Sequence, residues 1–360
     1  MDGTSAALLA SRANALPDAL TAELACDRRI EFSPDVARGR WVTTGVGVSE
    51  DPARFLAFVL HDTLGLDAQF VPLSAFLLER PRGACLVVFS QGLSPNSMLA
   101  TEQSTAFQRT LVVTAVAPDV AEHPRSDCAT RLRRSGLDVV VHGPADESQL
   151  LLRVVGPAVA RLCAVRVADA AAAALGHREP FGETLRRSIP TAVGAATSRA
   201  RELVTRLPAR VLFHRLAWLT FGTAGELAHG MRWKWLEGMG VDSSVWDAMQ
   251  LAHGPFQSFY DSTATLVTLE PAAHELVPAV VDRIEAMLDR SRHSLVRLSS
   301  SLPGSLCVFE HDAQCTQLVL HGLQVQPRDL RHWPGKGRDK PIYDIASTSG
   351  VTALPAGKRA

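Results

Sequence analysis

The chain has 360 residues, more than one average domain, so two domains of roughly 150 residues each and a tail are expected. Hydrophobic residues make up 46% and charged residues 21%, the composition of an ordinary well-packed globular protein. Lys+Arg and Asp+Glu balance at 37 each, which excludes the basic footprint of a nucleic-acid or anionic-membrane binder and leaves a small molecule or a protein as partner.

The first 25 or so positions predict an amphipathic helix, or a helix pair broken near Pro17. The stretch MDGTSAALLASRANALPDAL has an acid at position 2 and no sustained apolar core, so it does not read as a signal peptide. No apolar run reaches the roughly 18 residues of a membrane span. A strand-and-helix rhythm then begins. RWVTT (40–44), AQFVPL (68–73), ACLVVFS (84–90), TLVVTAV (110–116) and LDVVVHG (137–143) are β-rich. Helical patterns lie between them, from Ser49 to about Gly65 and up to about Arg109. A long apolar helix is expected from Glu147 into the alanine-rich 168–175. Residues 176–200 hold Gly, Pro and polar clusters and suit a linker with a short helix. The rhythm resumes with a strand inside 209–222, a helix over 224–240, a strand at 263–270 and a periodic helix over 271–292. SLVRLSS (294–300), SLCVFE (305–310) and CTQLVLHGLQV (315–325) add β-type or mixed runs before an irregular basic tail. Short buried strands alternating with helices predict an α/β fold with parallel sheets covered on both faces.

Of the six cysteines none forms a C-x-x-C pair. Cys307, His311 and Cys315 are evenly spaced without an apparent fourth ligand, and Cys307 falls in an expected buried strand, so the spacing reads as coincidence rather than a zinc site. Other cysteines lie in apolar surroundings such as ACLVVF and ARLCAV, where a cysteine is a small core residue, and a reducing, cytosolic compartment is expected. Neither a metal nor a cofactor is expected.

In a parallel sheet, ligands bind beyond the carboxyl ends of the strands. Two first-half loops qualify. The first, from Gly45 and Gly47 to Ser49, allows a tight turn and close backbone approach, but Glu50 and Asp51 follow it and would repel a phosphate. A capped structural turn is an equal reading. The second, Ser90-Gln91-Gly92-Leu93-Ser94-Pro95-Asn96-Ser97, is dense in neutral donors that suit a sugar or phosphate, and equally in plain turn formers. A third constellation lies further on. Lys234 and Glu237 share a helix face and would ordinarily be a solvated ion pair. Met231, Trp233, Trp235 and Met239 surround them, however, and partial desolvation gives a carboxylate a pKa suited to proton transfer. His253, just before Gly254-Pro255, stands at the mouth of a helix.

Together these segments resemble the SIS (sugar isomerase) domain family, specifically the isomerase half of glucosamine-6-phosphate synthase. SRANALPDAL (11–20) is similar to its lead helix, TTGVGVSED (43–51) to its first-domain loop, and VVFSQGLSPNSM (87–98) to its S-Q-S-G-E-[ST] phosphate loop. GMRWKWLE (230–237) and AHGP (252–255) keep, without a gap, the spacing of the family's E-G-A-L-K-x-K-E and H-G-P. DKPIYDIAST (339–348) is loosely similar to the family's tail. The resemblance implies two tandem doubly wound domains with mainly parallel five-stranded sheets. A helical lead would cover 1–34, a first domain 35–180, a linker 181–205, a second domain 206–328, and a tail over the active site 329–360.

It also implies roles. Glu237 would move a proton between C1 and C2 of an open-chain sugar, Lys234 would support the enediol, and His253 would assist ring opening, in some relatives from a dimer partner. Ser49, Ser90, Gln91 and Ser94, with Gly47, would hold the phosphate. There are departures: Gly230 stands at a family glutamate, Gly92 at the second Ser of the phosphate loop, and Ser347 at the family's Schiff-base lysine. The implied activity is therefore an aldose–ketose isomerase, or a deaminating or deglycating relative, acting on an (amino)sugar phosphate without glutamine-dependent amidotransfer. Alternatives are an enzyme repurposed for a modified or non-phosphorylated substrate and a non-catalytic sugar-phosphate-binding regulator. A homodimer is the implied assembly.

Overall fold

The computed structural model describes residues 4–120, 124–144, 147–272 and 274–344. In chain order its elements are α1 (Thr4–Ala25), α2 (Pro34–Arg38), β1 (Trp41–Gly45), α3 (Glu50–Phe58), β2 (Ala68–Phe70), α4 (Leu73–Leu78), β3 (Gly83–Phe89), α5 (Pro95–Thr101), β4 (Phe107–Thr114), α6 (Ser126–Arg134) and β5 (Asp138–Val141). There follow α7 (Val155–Ala174), α8 (Gly182–Arg206), β6 (Arg215–Thr220), α9 (His229–Met239), β7 (Ser244–Asp247), α10 (Pro255–Tyr260), β8 (Ala264–Glu270), α11 (Leu276–Met287), β9 (His293–Ser299), α12 (Cys307–Val325) and α13 (Lys340–Tyr343).

Continuous apolar runs make the strands. Every residue of β1 and β8 is buried, as are the last six of β3, because helices cover both faces. All pairings are parallel, and the first sheet has the order β2-β1-β3-β4-β5. The second has the order β7-β6-β8-β9, a repeat of the first sheet's order without its last strand. The fold is thus α/β with two parallel sheets, the second having four strands rather than the five expected. SLCVFE and CTQLVLHGLQV do not add strands to it; they form α12. That helix is buried on all sides from Cys307 to Val319, its polar residues from Glu310 to Gln317 included, so no solvent-facing stripe marks a helical period, and without one it cannot be told from a strand.

Of the two readings of the first 25 positions the single helix is found: α1 runs unbroken through Pro17, its core face Leu9, Ala13, Leu16 and Leu20 being held by packing that outweighs the missing backbone bond. Two further segments differ from expectation. Residues 182–206, expected as part of a linker with a short helix, form the 25-residue α8, which buries Ile189, Val193, Ala196 and Ala200 and packs against α12 and α1. Finally, α7 begins at Val155 and not near Glu147. The Glu147 carboxylate instead accepts the N–H groups of Val154, Val155 and Gly156 at 3.2, 3.0 and 2.6 Å, so it caps the helix from outside. One apolar core joins both sheets through α1, α7, α8 and α12.

Each sheet has one point where the chain turns from one neighbour of a strand to the other. In the first sheet this lies between β1 and β3, so the loops leaving their carboxyl ends face each other across a crevice.

Candidate active site

Gly45 ends β1, and a Cβ there would overlap the Ser49 carbonyl, so the tight turn through Gly47 (φ +60°) needs both glycines. Ser49 Oγ accepts the Gln91 N–H at 3.5 Å, which ties the first loop to the second. In the second loop Ser90 Oγ accepts the Ser94 N–H at 3.1 Å, and the buried Leu93 is held at φ +48°, a strained value for leucine. Ser94 Oγ is buried without a partner. These loops form one wall of a cavity of about 680 Å³. Glu237 and Trp233, one turn apart on α9, form another, and Trp333, Gly337, Asp339, Lys340 and Tyr343 of the tail close over it. Asn96 Nδ2 donates to the Ile342 carbonyl at 3.0 Å and fastens the tail to the loop. Gly47, Ser49, Ser90, Gln91, Ser94 and Glu237 are therefore brought together in one cavity.

Glu237 is half-buried and its Oε2 has no hydrogen-bond partner. Burial pushes its carboxyl up to about 8 against the opposing charges of Arg153 and Lys234. Such a group holds its proton at neutral pH and releases it to a modest rise, the behaviour of a proton carrier.

Lys234 does not line the cavity. Its ammonium is buried behind α9, 2.7 Å from Asp312 Oδ1 and 2.8 Å from Thr316 Oγ1. His253 is exposed on the loop entering α10 and lines no cavity near Glu237. The acids of the first loop are also placed differently from expectation. Glu50 pairs with Arg54 at 2.6 Å and accepts from Trp233 Nε1 at 3.0 Å. Asp51 turns inward to pair with Arg161 and occupies the space a side chain on residue 230 would need. Neither carboxylate lines the cavity, and each is paired with an arginine. The position of Ser347 lies outside the described residues.

Gln91 is committed elsewhere as well. Its Nε2 donates to Glu147 at 3.2 Å and its Oε1 accepts from Arg153 Nη1 at 3.0 Å. A Cβ on Gly156 would overlap this amide, so the glycine makes room for it. Sequence reasoning missed Arg153, Arg125 and Trp233 as cavity residues. Arg153 had a signal: it is the one charged residue between Glu147 and Arg161.

The second sheet's corresponding crevice, between β6 and β8, is closed. Leu227, Met231, Leu269, Pro271 and His311 leave a void of about 20 Å³, and Glu270 there is held bidentately by Arg297 at 2.8 and 2.9 Å. Cys307, His311 and Cys315 stack along α12. The His311 Nε2–H faces the Glu270 carbonyl at 3.1 Å, and burial pushes its pKa down to about 4. A broader cleft of about 1030 Å³ beside β7 contains none of the site residues inferred from sequence.

No family model and no curated protein matches the chain. Solved structures do. Glucosamine-6-phosphate deaminase from Thermotoga maritima aligns over 91% of this chain and 97% of its own at 12% identity and a TM-score of 0.68. The C-terminal domain of glucosamine-fructose-6-phosphate aminotransferase from Francisella tularensis aligns over 89% and 97% at 11% identity and a TM-score of 0.67. Tagatose-6-phosphate ketose/aldose isomerase from Escherichia coli aligns over 90% and 92% at 15% identity and a TM-score of 0.61. The chain has the fold of the SIS sugar isomerase proteins. No described helix is long and apolar enough to cross a membrane.

Proposed function

We propose that the protein is a sugar-phosphate isomerase-like enzyme in which Glu237 transfers a proton between C1 and C2 of an open-chain (amino)sugar phosphate. The observation that carries this reading is Glu237 itself: a desolvated carboxyl with an unpartnered oxygen, facing a cavity whose opposite wall is two hydroxyl-bearing loops at strand carboxyl ends. Ser49, Ser90, Ser94 and the backbone at Gly47 would hold the phosphate. Lys234 would act through its charge from behind α9 and not by touching substrate. His253 could serve only a neighbouring copy's cavity, which fits a homodimer in the cytosol; two tandem domains sharing one working crevice is the accompanying domain reading. Glu237→Gln should abolish exchange of the C2 proton with solvent while hexose 6-phosphates still raise the melting temperature. Undiminished turnover would sink the reading.

One observation favours a second reading. The Gln91 amide is held between Glu147 and Arg153 and is turned toward them rather than offered to a phosphate. A modified or non-phosphorylated sugar then becomes the substrate, and the protein would be stabilised by such sugars and not by hexose phosphates.

A further inference from the structure

We infer that Arg153 is the residue that meets the negative charge developing on the substrate's oxygen when Glu237 removes the proton. This rests on the proposed proton transfer and assigns it a second catalytic residue. The reason lies in how the cavity distributes its charges. The cation three residues from Glu237, Lys234, is buried in its pair with Asp312 and does not line the cavity. Arg153 does, on the same cavity as Glu237, and is half-buried there. Among the described residues its only partner is Gln91, reached by one Nη1–H, so its remaining N–H groups are free to donate.

Its placement is fixed by a chain of bonds with only one workable orientation. The Glu147 carboxylate already accepts three backbone N–H groups at the start of α7 and can only accept. The Gln91 Nε2–H₂ must therefore face Glu147, which turns Oε1 toward Arg153. Glu147 and Gln91 are thus positioning residues for the guanidinium. A donor held in advance where charge will appear needs no reorganisation during the reaction. Arg153 also opposes the raised affinity of Glu237 for its proton more strongly than Lys234 does, which fits a shared cavity.

The step balances as follows. Glu237 carboxylate takes the C2 proton of the open-chain aldose. The C–H electron pair becomes the C1–C2 double bond, and the carbonyl π pair moves to O1, where Arg153 donates to it. Glu237 then returns its proton to C1 while the O2 proton moves to O1, which leaves the ketose.

The test uses the full chain, the variants Arg153→Ala, Arg153→Lys and Glu237→Gln, and two readouts. The first is solvent exchange and turnover on glucose 6-phosphate, read at its C2 proton, and on fructose 6-phosphate, read at a C1 proton. Arg153→Ala should lower kcat about 100-fold or more with KM changed severalfold at most, as loss of one oxyanion donor does, and Arg153→Lys should restore part of it. The second is the titration midpoint of the Glu237 carboxyl, followed by carbon-13 NMR, which should move upward in Arg153→Ala and less in Arg153→Lys. A rise in KM alone would assign Arg153 to ground-state binding and overturn the inference. Activity persisting in Glu237→Gln would instead defeat the proposed proton transfer. If neither sugar turns over, an unmoved Glu237 midpoint still overturns the placement of Arg153.

Discussion

A Cβ on Gly230 of α9 would lie 2.6 Å from Oδ1 of Asp51 on α3, so the bare helix position and the inward carboxylate form one fit across the seam between the two sheets. Asp51 is nearly fully buried and pairs there with Arg161. Gly230→Ala should cost about 1–3 kcal/mol by overpacking, and Gly230→Glu should cost more by bringing a second carboxylate against Asp51. Urea unfolding of the two variants checks the order; equal stability of Gly230→Glu and wild type would refute the fit.

The buried pair of Lys234 and Asp312 makes a separate prediction about structure rather than chemistry. Lys234→Met leaves the Asp312 carboxylate without its cation and should destabilise the fold by about 3–5 kcal/mol. Adding Asp312→Leu should recover most of the loss. A double variant no more stable than Lys234→Met would show that the pair is not what the lysine contributes.

The raised pKa of Glu237 links activity and stability to pH in opposite directions. Ionisation is disfavoured in the folded protein, where the midpoint is pushed up to about 8, but not in the unfolded chain. The folded state therefore binds the proton more tightly between the ordinary carboxyl pKa and 8, and stability falls as pH rises through that window. Glu237→Gln should remove this slope, so its melting temperature should exceed that of wild type increasingly toward pH 8. Turnover, which needs the ionised form, should rise over the same range with a limb near pH 8. Parallel melting curves for the two proteins at every pH would contradict the placement of Glu237.

Gly156→Ala examines the support beneath the cavity. The added methyl overlaps the Gln91 amide, which must leave its bonds to Glu147 and Arg153. Alanine suits a helix better than glycine, so the variant should remain folded by circular dichroism yet show a fall in kcat like that of Arg153→Ala, because the guanidinium loses its anchor. An unchanged kcat would mean that the Gln91 amide can shift at no functional cost.

Much of the fold could be read from sequence because its strands are buried on both faces and written as unbroken apolar runs such as that around Val87. The two loops facing the cavity could be placed because they follow strand carboxyl ends, although their glycines and hydroxyls serve a plain turn equally well. The directions of charged side chains were not. Asp51 in a first helical turn looks like a guard against phosphate, and only the hole at Gly230 with Arg161 beyond it turns the carboxylate inward. Gln91 and Lys234 were expected to touch ligand, and each is held by a partner far along the chain, Glu147 and Asp312, that local spacing cannot reveal. β7, a four-residue edge strand with no run to announce it, was missed for want of length.

The ion pairs at the seam have a bearing on how the chain assembles. Asp51 and Arg161 both belong to the elements of the first sheet, Lys234 and Asp312 both to those of the second. Each sheet thus brings a pair already neutral to the place where they meet, and neither has to wait for the other to cancel a buried charge. Synthesis can deliver the first sheet with its helices before the second exists, and the later docking joins two surfaces whose most deeply buried charges are already paired.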